Sequence, residues 1–184
     1  LQHLAGPVLE SLPRARAPRG WSAACSSGEE AYSIAMVLMD RLGAASPWEV
    51  FGSDISRVVL VRARSGVYPL NRIDGIPQDY LQRFCRRSGG STDGTLEVDA
   101  ALRQRVRFAQ VNLNDSLSAV GEFDVIFLRN VLIYFDAPSK QQIVARVVRQ
   151  LRPGGWLFTG HSESLSGVST DLRQERPSVY RRVP

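Results

Sequence analysis

Long apolar runs are missing from this sequence. No stretch of eighteen or more apolar residues occurs, and glycine, prolines and arginines interrupt the first twenty residues, so no signal-peptide pattern forms. Direct insertion into a membrane is therefore not expected, and a cytoplasmic location is the simplest interpretation. Because the sequence begins at Leu1 and not at Met, we expect a fragment of a longer protein.

Cysteine is scarce as well. Cys25 and Cys85 are the only two, and their spacing matches no metal-binding or redox motif. A cytosolic chain seldom forms disulfides, so we interpret both as ordinary buried thiols. The sequence predicts no metal site.

Acidic residues are outnumbered, with 18 Asp and Glu against 23 Lys and Arg, which gives a net charge of +5. A basic balance suits nucleic acids, acidic protein partners or simple solubility. No predicted helix carries a continuous basic face interleaved with aromatic residues, so nucleic-acid binding is not expected. An acidic protein substrate fits the charge at least as well.

Short strands alternate with amphipathic helices along most of the chain. Such alternation predicts a doubly wound α/β domain, in which helices cover both faces of a mainly parallel sheet. We predict helices over 4–12, 31–42, 56–63, 77–84 and 138–151, and strands over 21–25, 49–54, 106–113, 123–128 and 156–160, with a final strand over SVYRRV.

One region interrupts this rhythm. The segment RRSGGSTDG is rich in turn-forming residues, and TLEVD after it alternates like a short exposed strand. We therefore predict a small antiparallel β insertion over 86–110, centred on 86–98 and carried on the main domain.

Polar residues follow the predicted strands at their carboxyl ends. Ligands of open α/β sheets bind beyond these ends, so the sequence predicts one crevice formed by these residues. They are Ser26, Ser27, Gly28, Glu29 and Glu30 after the first strand, Asp54 after the second, Asn112 after the third, Arg129, Asn130 and Tyr134 after the fourth, and His161, Ser162 and Glu163 after the fifth.

The first turn, CSSGEE, brings the backbone close to a ligand at Gly28. It lacks the G-x-G-x-x-G pattern and a P-loop lysine, which favours a ligand without phosphates. Ser27 and Glu30 also fit a capping box, in which each side chain bonds the backbone of the other, and this alternative stays open.

Asp54 ends the second strand, about twenty-five residues beyond the turn. Nucleotide-binding α/β proteins place there an acid that accepts the ribose hydroxyls, and a ribose without phosphates points to an adenosyl ligand. The alternative is an acid that caps the next helix. Asn112 has a similar alternative, since asparagine after a strand often serves only the turn.

Arg129 directly follows an apolar strand, and no acidic residue close to it in the sequence is an obvious partner, which suggests a carboxylate ligand. The alternative is a salt bridge to Glu30 or Asp54 that orders the site. His161 fits either a general base or a structural turn residue, and Ser162 lacks the flanking glycines of a nucleophile elbow.

Six stretches resemble, in order and spacing, the CheR family of chemotaxis receptor methyltransferases. They are WSAACSSGEEAYSIAM, FGSDIS, GVYP, VNL, FDVIFLRNVLIYFD and LRPGGWLFTGHSESL, and they span the chain from Trp21 onward. The resemblance implies a methyl transfer from S-adenosylmethionine to receptor glutamates, on a doubly wound domain with a small inserted β subdomain.

The resemblance also implies roles for individual residues. Asp54 would hold the ribose, Asn112 and Leu113 would lie beside the adenine, and Arg129 and Tyr134 would be catalytic, near the sulfonium and the incoming glutamate. The implied cofactor-binding residues are Ala24, Gly28, Glu30, Asp54, Asn112, Leu113, Arg129 and Asn130. Tyr134 has a structural alternative, a tyrosine buried for packing.

The implied partner is the cytoplasmic domain of methyl-accepting chemotaxis receptors, whose C-terminal tail could add a strand to the β subdomain. The family's helical N-terminal domain and arginine-containing motif are not among these 184 residues. We therefore expect this chain to bind the cofactor but to methylate receptors poorly.

Two other functions stay open. One is a methyltransferase with a different acceptor, either a small molecule or another protein. The other is a non-catalytic module that senses S-adenosylmethionine or S-adenosylhomocysteine. Arg129 and Tyr134 argue against the second, because a pure binding module needs no residues at the methyl position.

Overall fold

The computed structural model describes residues 2–13, 15–72, 75–89 and 94–183. Its strands are β1 (Arg19–Ala23), β2 (Glu49–Asp54), β3 (Val67–Pro69), β4 (Cys85–Ser88), β5 (Thr95–Val98), β6 (Val106–Gln110), β7 (Phe123–Leu128), β8 (Leu151–Thr159), β9 (Leu172–Arg176) and β10 (Val179–Arg182).

The chain opens with a π-helical turn (Leu4–Val8) that runs into α1 (Leu9–Ser11). The other helices are α2 (Glu29–Leu42), α3 (Arg57–Ser65), α4 (Gln78–Phe84), α5 (Ala100–Arg103) and α6 (Ala137–Arg149), and short 3-10 turns lie at Leu70–Arg72, Ser118–Val120 and Leu132–Tyr134. In the described residues, no helix is long and apolar enough to cross a membrane.

Local sequence sets the ends of these elements. Helix α6 begins where the Asp136 carboxylate accepts a hydrogen bond from the Ser139 amide at 2.9 Å, with a proline in the first turn. Helix α3 ends at Gly66, whose φ of +62° is the left-handed conformation common after a helix. Both helices therefore start or stop where their capping residues predict.

Seven strands form the main sheet in the order β6-β2-β1-β7-β8-β10-β9. The first five are parallel, and β10 and β9 add antiparallel pairs at one edge. The chain moves outward from β1 through β2 to β6, and then from β7 through β8 in the other direction. The predicted doubly wound, mainly parallel sheet is confirmed, and its switch point lies between β1 and β7.

Both faces of the sheet are covered, as parallel sheets require. Alternate residues of β7 point to opposite sides, so Phe127 joins the core under α2 while Ile126 and Leu128 join the core under α6. All six residues of β7 are buried. This rigid central strand carries the polar loop that follows it to the edge of the switch point.

A second, three-stranded antiparallel sheet has the order β3-β5-β4. It confirms a small β unit, but its bounds differ from the expected 86–110. Its first strand lies upstream, at Val67–Pro69, and 106–110 pair with β2 in the main sheet. Residues 86–88, expected in a turn, form most of β4. The rest of that turn, 90–93, lies outside the described residues.

Two further differences concern strands. Strand β9 was not predicted, because its residues are mostly exposed and it is defined by pairing with β10. Strand β8 begins at Leu151, upstream of the expected 156, and includes the predicted turn Pro153-Gly154-Gly155. A register shift beside β7 accommodates this segment. A side chain at Gly155 would approach the Asp124 carbonyl to 2.9 Å, which explains the glycine.

Candidate functional site

A cavity of about 330 Å³ opens at the carboxyl ends of the strands, at the switch point. This is where open α/β sheets bind ligands, and its size is within the usual range for small-molecule sites. Its lining is Ala24, Ser26, Asp54, Ile55, Val111, Asn112, Leu113, Asn130, Val131, Tyr134 and Phe135. Six of the nine predicted site residues are therefore brought together here.

The turn after β1 forms one wall. Ala24 and Ser26 both have positive φ angles, of 62° and 51°, in the left-handed region that side chains disfavour. Neighbouring groups hold this shape, since the Cys25 amide donates to the Ser53 carbonyl at 2.7 Å and the Ser26 amide donates to Asp54 at 2.9 Å. The wall is thus tied directly to the end of β2.

Asp54 is the acidic group of the cavity. Its Oδ2 accepts from the Ser26 amide and its Oδ1 from the Ser56 amide, each at 2.9 Å. Ser56 is the N-cap residue of α3, so Asp54 supports the residue before the helix but does not itself cap the amides of the first turn, as the alternative had it. Each carboxylate oxygen has a second acceptor position, and the half-buried side chain lines the cavity, so a ligand role stays compatible with this one.

Asn112 and Leu113, which follow β6, also line the cavity. The Asn112 Oδ1 accepts from the Asn114 amide at 3.0 Å, which is the turn role anticipated as its alternative. Leu113 is buried, and Val111 and Ile55 add apolar surface. Together these side chains form an apolar slot beside the Asp54 carboxylate.

Gly28 lies behind the wall, outside the cavity lining. With φ of +93° it precedes α2, and a Cβ there would approach the Ala63 Cβ to 2.9 Å and the Tyr68 hydroxyl to 3.1 Å. Contact with α3 and β3 is therefore what demands a glycine. The Tyr68 hydroxyl also donates to the Ser27 carbonyl at 2.7 Å, which fixes the turn from the small sheet.

The capping box of Ser27 and Glu30 is not formed. The Ser27 hydroxyl instead donates to the Glu29 carboxylate at 2.7 Å. Glu30 accepts from the Ser22 hydroxyl at 2.7 Å and from Arg129 Nη1 at 3.0 Å. Glu30 thus connects Ser22 in β1 to Arg129 after β7, on the two sides of the switch point.

Arg129 therefore forms a salt bridge with Glu30, one of the two acids that the sequence suggests as alternative partners. The pair lies next to the cavity rather than in its lining, and 37% of the arginine side chain remains exposed. Only Nη1 faces Glu30, so the guanidinium retains donors for a ligand carboxylate.

Glu163 is the residue whose role sequence reasoning missed. Its side chain is 2% exposed, and its carboxylate accepts four backbone amides, those of Asn130, Val131, Leu132 and Gly160, at 2.7–2.9 Å. The sequence predicts Glu163 after the fifth strand, but it does not show which backbone amides donate to the carboxylate. Glu163 anchors the loop that carries Asn130 and Tyr134 into the cavity.

The anchored loop has a fixed backbone. Asn130 adopts a φ of 57°, and a Cβ at Gly160 would lie 2.4 Å from Glu163 Oε2 and 2.7 Å from Asn130 Oδ1. The loop then turns through Leu132–Tyr134 and presents Tyr134 with 78% exposure. The packing alternative for Tyr134 is therefore wrong, because the ring is not buried.

Cys25 cannot act as a nucleophile here. Burial, with a smaller contribution from the negative charge of Asp54, raises the pKa of its thiol to about 12. The thiol therefore stays protonated at neutral pH. Cys85 is half-buried and its pKa is likewise raised, to about 11, chiefly by burial.

The remaining candidates lie elsewhere. His161 and Ser162 are exposed and lie outside the cavity lining, which gives no support to a general base or a serine nucleophile. Within the described ranges, no group of three or more His, Cys, Asp or Glu side chains is arranged to hold a metal ion. The polar side chains that line the cavity are those of Ser26, Asp54, Asn112, Asn130 and Tyr134.

The fold and the cavity define a doubly wound α/β domain with a ligand cavity at its switch point. PKMT2 from Rickettsia typhi in complex with AdoHcy has the same fold, with a TM-score of 0.52 and 14% identity over 84% of this chain and 24% of that one. The family described as CheR methyltransferase, SAM binding domain, matches residues 1–180. The chain belongs to this family, and the resemblance found in the sequence is confirmed.

Curated relatives agree. Chemotaxis protein methyltransferase 2 of Pseudomonas aeruginosa is 44% identical over 179 residues, which are 96% of this chain and 64% of that protein. Chemotaxis protein methyltransferase of Escherichia coli is 44% identical over 178 residues, 95% of this chain and 62% of that protein. The chain thus spans less than two thirds of the length of these relatives.

Proposed function

We propose that this chain transfers a methyl group from S-adenosylmethionine to glutamate side chains of chemotaxis receptors. The observation that carries the proposal is the Asp54 carboxylate at the end of β2, in a cavity at the switch point of a CheR-family domain. An acid in this place accepts ribose hydroxyls. The apolar slot formed by Ile55, Val111 and Leu113 suits an adenine ring.

When bound, S-adenosylmethionine supplies a methyl group that is activated by a sulfonium cation. A glutamate carboxylate is already a nucleophile at neutral pH, so the protein needs no general base, in keeping with the exposed position of His161. The work of the chain is to align oxygen, methyl carbon and sulfur and to exclude water.

Arg129 and Tyr134 are the residues that we propose for this alignment. The positive charge of the sulfonium and the negative charge of the glutamate disappear together, so a strong cation on the glutamate would favour the ground state. Pairing with Glu30 at 3.0 Å offsets the charge of Arg129. The arginine can then orient a carboxylate without holding it too tightly.

The proposal is tested by titration and by methyl transfer. S-adenosylhomocysteine should bind in a calorimetric titration, and label from methyl-labelled S-adenosylmethionine should enter a receptor cytoplasmic fragment as a base-labile ester. A fragment with its acceptor glutamates replaced by glutamine is the control. Binding without transfer to any glutamate would contradict the proposal and leave a sensing module or a different acceptor.

We also propose a tail-binding role for the small sheet. Among the described strands, β4 pairs only with β5, so one edge has free backbone groups. Pro69 has no amide hydrogen, which makes β3 the poorer edge. A receptor C-terminal tail would add to β4, and receptors with and without the tail should differ in KM in the same assay. Because the proposed substrate is the cytoplasmic domain of a receptor, the proposed reaction supports a location in the cytoplasm.

Tyr134 allows a sharper test of the catalytic proposal. Its exposed ring can stabilise the sulfonium by a cation–π interaction, and its hydroxyl can orient the glutamate oxygen. Tyr134→Phe should mainly slow methyl transfer. Tyr134→Ala should also weaken S-adenosylmethionine binding, by about 0.5–2 kcal/mol.

Turnover and cofactor affinity are measured for both variants. Because Tyr134 is exposed, neither substitution should change the melting temperature much. If the phenylalanine variant turns over like the original protein and the alanine variant binds S-adenosylmethionine equally well, Tyr134 has no part in the site.

A further inference from the structure

Exposed apolar side chains are concentrated at one place on this protein. Of the seven large apolar side chains that are exposed in the described residues, Ile55 and Tyr134 line the cavity, and three more lie within six residues of them along the chain. We call this set the apolar rim: Ile55, Val58, Val61, Ile133 and Tyr134, which are 54–78% exposed. Single exposed apolar residues are ordinary, but a cluster beside a functional cavity marks an interaction surface.

The rim is continuous with the cavity at both ends. Ile55 and Tyr134 both line the cavity, and Ile133 adjoins Tyr134 in the Leu132–Tyr134 turn. Val58 and Val61 follow Ile55 along α3, spaced three residues apart on its exposed side. This spacing presents both valines as neighbours on one helix face.

The charge around the valines has one sign. Helix α3 has the sequence RVVLVRARS, with Arg57, Arg62 and Arg64 exposed and no acidic residue. Arg57 and Arg64 lean toward β6, where they donate to the Gln110 side chain at 2.8 Å and to the Phe108 carbonyl at 3.0 Å. A partner that covers Val58 and Val61 would therefore meet the positive charge of Arg62 beside them.

We infer that the α3 part of the apolar rim, Val58 and Val61 with Arg62, docks the acidic amphipathic segment that carries the methyl-accepting glutamate. A segment with apolar residues on one helical face and carboxylates beside them complements this surface in both shape and charge. Docked there, it reaches Ile55 at the cavity mouth. The inference rests on the proposed function, because it assigns a docking place to that reaction's substrate.

The direct test is binding of a receptor cytoplasmic fragment, measured by calorimetry with S-adenosylhomocysteine present. The variant Val58→Ser with Val61→Ser should raise the dissociation constant at least tenfold. Its affinity for S-adenosylhomocysteine and its melting temperature should not change, because both side chains are about two-thirds exposed. Val183→Ser, at another exposed valine, is the matched control and should bind the fragment normally.

A second variant tests the charge. Arg62→Glu should weaken binding of the fragment and reduce its salt dependence, because like charges would then face each other. Fragment binding that is unchanged in both the valine and the Arg62 variants would overturn the inference, and so would a wild-type protein that does not bind the fragment. A dimer that dissociates in the valine variant, with fragment binding intact, would also overturn it and would assign the surface to a second copy.

The same variants separate this inference from the proposed function. If methyl transfer to the fragment proceeds with an unchanged KM in the valine variant, the reaction stands and the docking surface is wrong. If the wild type binds the fragment through Val58 and Val61 but transfers no methyl group, the surface stands and the reaction is wrong.

Discussion

Replacing Asp54 with alanine is expected to lower the affinity for S-adenosylhomocysteine at least tenfold. The substitution removes the acceptor that we propose for two ribose hydroxyls, and a hydrogen bond to a charged group contributes roughly 1.5–3 kcal/mol. It also removes the acceptor that holds the Ser26 amide at 2.9 Å, so the wall that carries Ala24 keeps only the bond from the Cys25 amide to the Ser53 carbonyl as its tie to β2. The loss of affinity should therefore exceed that of a single contact. Calorimetric titration measures it.

Two further variants separate ligand binding from structural support. Asp54→Asn keeps one side-chain oxygen for the Ser26 or Ser56 amide but loses the charge, so its melting temperature should fall less than that of the alanine variant while its affinity still drops. Asp99→Ala removes an acid whose carboxylate faces Arg86, away from the cavity, and should bind normally. Full affinity in Asp54→Ala would reduce Asp54 to a support for the start of α3.

Replacing Glu163 with alanine should have the largest effect on stability. Four backbone amides would lose their acceptor in a buried place, and an unsatisfied buried donor costs about 1–3 kcal/mol. Partial rearrangement and entry of water reduce the sum, so we expect a loss on the order of 3 kcal/mol or more. For a domain of this size that corresponds to a fall in melting temperature of roughly 6–12 °C.

Glu163 should also affect ligand binding. Without its carboxylate, Asn130 has little reason to keep its left-handed conformation, and Tyr134 would lose its position at the cavity. Glu163→Gln, which retains one acceptor oxygen, should fall between the original protein and the alanine variant in both properties. Glu175→Ala removes a surface partner of Arg173 and should change the melting temperature little. Thermal unfolding of Glu163→Ala matching that of Glu175→Ala would show that the loop is held by other contacts.

The central strands were predictable because burial leaves a strong pattern. FDVIFL and EVFGSD form strands with the predicted bounds, since FDVIFL is almost wholly apolar and EVFGSD has an apolar pair followed by polar residues that end the strand. Strand β9 (LRQER) and strand β4 (CRRS) show no such pattern, because most of their side chains are exposed. Their strand structure depends on backbone pairing with β10 and β5, which composition does not reveal.

The candidate site divides in the same way. Asp54, Asn112 and Asn130 were predictable because parallel strands bring their carboxyl ends to one edge, so polar residues at those ends converge. Ile55, Val111 and Phe135 also line the cavity, but apolar residues there resemble those of the core. The Arg129–Glu30 pair was foreseen only as one of two alternatives, because a sequence does not show which acid lies across β1.

Ala24, Ser26 and Asn130 have a consequence for any attempt to make this domain more heat-resistant. Each holds a left-handed backbone that costs an L-residue roughly 1–2 kcal/mol, and all three line the cavity. Glycine at these positions would relieve that strain in the folded state but would give the cavity walls more backbone freedom. A screen of variants for melting temperature alone would therefore favour substitutions in the walls of the ligand cavity. Thermostability and ligand affinity should be screened together.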